Sequence, residues 1–138
     1  DIYEARLLVE GHAAERATAH ADDALLAALD NADEAFSAAM LARDVDAELQ
    51  ANQRFHFTLY EAALSPTLMT IIRGLWLQSG PYVRVAVEHH QPEQGQPRTQ
   101  HHHGLMQALA RHDAAATRRA LEADLAWAWR LMKETVSA

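Results

Sequence analysis

The stretch Leu49-Gln50-Ala51-Asn52-Gln53-Arg54-Phe55-His56-Phe57-Thr58-Leu59-Tyr60-Glu61-Ala62-Ala63 decides the fold. Leu49, Asn52, His56, Leu59, Tyr60 and Ala63 recur at three- and four-residue spacing, so on a helix they share one face. That face is apolar except for Asn52 and His56, which lie one turn apart. An alternating strand register would scatter the same residues over both faces. The segment is therefore an amphipathic helix with two polar groups on its inner side.

Outward from it, the pattern stays helical. Asp44 precedes the segment, and the helix is expected over residues 44–64. Ser65-Pro66 follows, a capping residue and then a proline where a helix tolerates one, so a fourth helix is expected over 66–87. A bend is expected near Gly74 or Gly80-Pro81. Before residue 44, the chain is rich in Ala, Leu, Glu and Arg, all strong helix formers. It divides into helices over 1–19 and 22–42, the second capped by Asp22 or Asp23. Residues 89–97 hold two prolines and a glycine and read as a loop. A fifth helix is expected over 98–111, and a sixth, capped by Asp113, to residue 135. No convincing strand pattern appears. The connections are short except the one after helix four, which favours antiparallel neighbours. The expected fold is all-α, an antiparallel helical bundle occupying residues 1–138 as one domain.

Composition narrows the function. The chain has 138 residues, 49% hydrophobic and 22% charged, which excludes wholesale disorder. It has no cysteine, so disulfides, thiolate metal sites and cysteine nucleophiles are excluded, and a reducing, cytoplasmic setting fits. A net charge of −7 argues that this piece does not itself grip a phosphate backbone. No apolar run approaches the ~20 residues that span a bilayer, so no membrane partner is expected.

Two further helices repeat the pattern seen at Asn52 and His56. In helix five, His102 shares a face with Leu105, Met106 and Leu109. In helix six, Asp124 shares one with Leu121, Leu125, Ala128 and Leu131. Buried carboxylates and imidazoles need partners. One divalent cation held by Asn52, His56, His102 and Asp124 would satisfy all four. Nitrogen and oxygen donors suit zinc, nickel, manganese or iron better than copper(I). The competing reading is structural: Asn52 and His56 bond to each other, and Asp124 pairs with an arginine such as Arg6.

Other residues separate less sharply. Consecutive helical residues point about 100° apart, so of His101-His102-His103 only one or two can face a common centre. His103 lies on the side of Gln107 and is expected to be solvated. His89-His90 falls in the expected loop. Arg6 and Glu10 form either a surface pair or a site where Arg6 offers its fork to a carboxylate. Arg84 is a second candidate for that role. Trp76, Trp127 and Trp129 read as core or interface.

These residues resemble the FCD domain, the effector-binding part of FadR-subfamily GntR transcription regulators. Ile2-Tyr3-Glu4-Ala5-Arg6 with Val9-Glu10 looks like its first helix. Asn52-Gln53-Arg54-Phe55-His56 looks like its Asp-x-x-Phe-His motif, and the segment from His102 to Leu109 like its His-x-x-Ile-Leu-x-Ala-Ile motif. The segment from Arg111-His112-Asp113 to Asp124-Leu125 looks like its closing element. The resemblance implies a six- or seven-helix bundle, often dimeric, with a metal held by one Asp and three His beside a pocket for a small organic acid. His56 and His102 match their positions. Asn52 stands where the family has Asp, and Asp124 where it usually has the last His. That exchange leaves either a metal site or a metal-free pocket. The operator-reading winged helix-turn-helix would lie N-terminal to this chain. The reading is thus a sensing domain, with Arg6, Arg84, His56 and His102 meeting a small organic acid in a homodimer that contacts operator DNA through the other domain. A ligand-free dimerisation module and a mononuclear metal-dependent hydrolase are the alternatives. A di-iron enzyme is disfavoured because no Glu-x-x-His occurs.

Overall fold

In a computed structural model, which describes residues 1–89 and 99–137, the chain forms six α-helices and no strands among those residues. They are α1 (Ile2–Thr18), α2 (Asp23–Ala42), α3 (Val45–Glu61), α4 (Pro66–His89), α5 (Thr99–Ala110) and α6 (Ala114–Ser137). The expected connection over 89–97 lies outside the described residues apart from His89.

The expected caps Ser65 and Asp113 form, Asp22 rather than Asp23 caps α2, and Asp44 also proves to be a cap. The side chains of Asp22, Asp44 and Asp113 accept the amides of Leu25, Ala47 and Ala116 at 2.7, 3.1 and 3.0 Å, and Ser65 Oγ accepts that of Leu68 at 3.3 Å. Each bond satisfies one of the four amides that a helix N-terminus leaves without an internal partner. Three turns close without glycine: Arg43, Leu64 and His112 all adopt left-handed φ of 54°. Among the described residues, the glycines (Gly11, Gly74, Gly80 and Gly104) lie inside helices instead. At Gly11 a Cβ would sit 3.1 Å from Arg118 Nε, so that side chain would have to shift to admit one.

Two expectations about α4 change. The helix runs on through Pro81 to His89, two residues past the expected end. His89 is therefore a helical residue, and its Nδ1–H donates to the Val85 carbonyl at 2.8 Å. Pro81 removes one backbone donor but does not end the helix.

The two-residue link Arg43-Asp44 folds α3 back on α2. α1 packs on α3, α4 and α6, and α5 bridges α2 and α6. Their shared core is built from Ala13, Ala17, Leu29, Phe55, Leu59, Ile72, Leu105, Leu109 and Leu121, all buried. The alanines of α1 matter here, because small side chains let a central helix lie close to its neighbours. This arrangement brings one face each of α3, α5 and α6 to a common centre.

Candidate functional site

α3 delivers His56 to that centre, almost fully buried. Its Nδ1–H donates to the backbone carbonyl of Asn52 one turn earlier at 2.9 Å. Its Nε2 lies 2.7 Å from Asp124 Oδ2 on α6. α5 delivers His102, also buried. The His102 ring stacks on Phe55 at 3.9 Å and 10°, and its centroid lies 5.4 Å from that of His56. One ligand atom from each of His56, His102 and Asp124 falls within 4.8 Å of the other two. Asn52 lines the adjoining cavity a turn from His56.

The electrostatics favour a cation. Burial pushes the Asp124 carboxyl up, but the hydrogen bond and charge of His56, with smaller help from His102 and His101, hold it down at about 2. Asp124 therefore stays ionised inside the bundle. Burial lowers the His102 pKa, partly opposed by its hydrogen bond to Asp33, so the neutral ring that a metal requires is favoured.

A cavity of about 830 Å³ opens beside the cluster, lined by Arg6, Asn52, His56, Trp76, Arg84 and Asp124 among others. Arg6 is fixed in its wall. Its Nε and Nη2 donate to Glu10 at 2.6 and 3.2 Å, and its guanidinium lies 4.9 Å from the Trp76 ring centroid. Glu10 has no exposed surface. It also accepts from Tyr60 Oη at 2.7 Å and Trp76 Nε1 at 2.8 Å. The Arg6–Glu10 pair is thus interior, not the surface pair that spacing alone allowed. Arg84 sits at the rim, half exposed, bound to Asp46 at 2.5 Å and near Glu88.

The structure brings His56, His102 and Asp124 together, with Asn52 and Arg6 beside the same cavity. It pairs Asp124 with His56, not with Arg6. His101 packs near Trp127. His103 is 58% exposed yet still reaches a partner, its Nε2–H donating to Asp33 Oδ2 at 3.0 Å. Asp33 itself escaped notice, although Leu29, Ala32, Asp33 and Phe36 show the same helical spacing on α2 that singled out Asp124. Trp76, expected in the core or an interface, and Tyr60, on the inner face of α3, both donate to Glu10.

The FCD domain model matches residues 1–126. The chain belongs to the FCD domain family. No curated protein matches it. Among solved structures, the fold is similar to McbR/YncC of E. coli, with a TM-score of 0.90 and 22% identity over 96% of this chain. The chain spans 63% of that protein. The FCD match contains all of His56, His102, Asp124 and Arg6. Two imidazoles, one carboxylate and a neighbouring amide are a donor set that fits a divalent metal such as zinc or nickel. No helix among the described residues is long and apolar enough to cross a membrane.

Proposed function

We propose that this FCD domain senses a small organic acid and is the regulatory, non-enzymatic part of a GntR-type transcription regulator of the FadR subfamily. The observation that carries the proposal is the convergence of His56, His102 and Asp124 beside a cavity whose wall holds Arg6. His56, His102 and Asp124 would hold a divalent metal, with the Asn52 amide oxygen in reach of the same cavity. The metal supplies a Lewis-acidic partner for a carboxylate oxygen. Arg6 offers its remaining N–H groups to the same anion, pre-aimed by Glu10 and Trp76. Arg84 adds positive charge at the mouth.

Acid binding would draw together α1, α3 and α6, which supply Arg6, His56 and Asp124. In a homodimer, that changes the relative placement of two DNA-reading domains outside this chain. The size of the response is limited by the difference in acid affinity between the two arrangements. The net charge of −7 supports leaving DNA contact to that other domain.

The test is thermal melting with zinc, nickel or manganese and a panel of small mono-, di- and tricarboxylates. At least one metal and one acid are expected to raise the melting temperature, and His102→Ala is expected to lose the metal effect. No stabilisation by any of them, with His102→Ala indistinguishable from the parent, would refute the reading.

A further inference from the structure

Asp33 lies on a buried face of α2 shared with Leu29, Ala32, Phe36 and Ala39. A carboxylate in such surroundings costs several kcal/mol unless its oxygens are met. Both are. Oδ1 lies 2.8 Å from His102 Nδ1 and Oδ2 lies 3.0 Å from His103 Nε2. An ionised carboxylate only accepts, so the proton at each contact belongs to the imidazole. His102 therefore carries hydrogen on Nδ1, and its Nε2 is left bare.

The ring is also held in plane. Phe55 stacks on it at 3.9 Å, and Phe36 packs at 4.9 Å. Phe55 is the chain neighbour of His56, so α3 supplies both the plate that orients one imidazole and the second imidazole itself. A ring turned over by 180° about Cβ–Cγ would exchange each nitrogen for a ring carbon, set Cε1–H where Nε2 had been, and lose the bond to Asp33.

We infer that Asp33 is a positioning residue for the site: it fixes His102 in the Nδ1–H form and so presents Nε2 to the centre shared with His56 and Asp124. The ligand role of His102 rests on the function proposed above; the tautomer does not. Outer carboxylates of this kind typically change metal affinity 10–100-fold when removed. A carboxylate that merely tied α2 to α5 would alter stability and leave the tautomer indifferent.

The experiment begins with metal-free, ¹⁵N-labelled parent protein and long-range ¹H–¹⁵N correlation of the imidazoles, with His102 assigned against His102→Ala. The expected result is the Nδ1–H form; the Nε2–H form would overturn the inference without any variant having to fold. Asp33→Leu is expected to lose that preference. Zinc affinity, read by competition with a chelating dye, is expected to fall about 10–100-fold in Asp33→Asn. Parent-like affinity in Asp33→Asn, or an unchanged tautomer in a folded Asp33→Leu, would overturn it. If the parent itself takes up no zinc, the metal reading above fails, and the tautomer alone decides the role of Asp33.

Discussion

His56 Nε2 and Asp124 Oδ2 lie 2.7 Å apart across 68 positions of sequence, while His56 Nδ1 faces the backbone carbonyl of Asn52 at 2.9 Å. Both nitrogens of one ring thus face oxygen acceptors. A neutral imidazole has one N–H and can satisfy only one of them. The second contact calls for a positive species between nitrogen and carboxylate, either a proton or a metal ion. Metal uptake should therefore displace a proton. Calorimetric titration with zinc in buffers of different ionisation enthalpy is expected to give apparent enthalpies that vary linearly with the buffer's. A buffer-independent enthalpy would contradict this exchange.

Asp124 also contributes to the loss of stability in acid. Its carboxyl titrates at about 2 in the folded chain, against 3.8 when unperturbed. Between those values the unfolded chain binds more protons, so stability rises with pH. The contribution is full above about pH 4 and is lost as pH falls through about 2. Urea midpoints between pH 5 and 2 are expected to fall less steeply in Asp124→Asn than in the parent.

Tyr60 is expected to matter through its hydroxyl as well as its ring. The group is buried, and burial together with the charge of Glu10 pushes its pKa well above 10. Tyr60→Phe removes one donor to Glu10 Oε1 and keeps the packing. Leaving that buried acceptor one bond short should cost about 1–3 kcal/mol in chemical denaturation. Absorbance titration should show Tyr60 still protonated after the ordinary tyrosine range has passed.

Arg6 and Arg84 should behave differently. Arg6→Lys keeps the charge but loses the fork that Glu10 orients, and acid affinity is expected to drop at least tenfold by calorimetry. Arg84→Ala breaks exposed pairs with Asp46 and Glu88. Such pairs contribute about 0–1 kcal/mol, so its melting temperature should stay close to the parent's.

The helices were legible because their starts are written locally: Asp22, Asp44, Ser65 and Asp113 each carry the oxygen that the next turn needs. The ends of α2 and α5 were nearly as legible, but α3 stops at Glu61 rather than 64, with Leu64 in a left-handed turn that no glycine signals, and α4 runs on to His89 rather than 87. Helical spacing placed Asn52, His56, His102 and Asp124 on inner faces, since a face is a local property. It could not show that Asp124 would meet His56 rather than Arg6, because that choice depends on how α6 docks against α1 and α3. Asp33 and Glu10 were visible by the same spacing rule. Glu10 was hidden by its neighbour Arg6, whose four-residue separation imitates an ordinary surface pair.

The most direct measurement is the metal content of the purified chain after equilibrium dialysis against zinc or nickel, beside His56→Ala and His102→Ala. The account predicts about one ion per parent chain and none in either variant. Retention of equal metal by all three proteins, or by none, would contradict it.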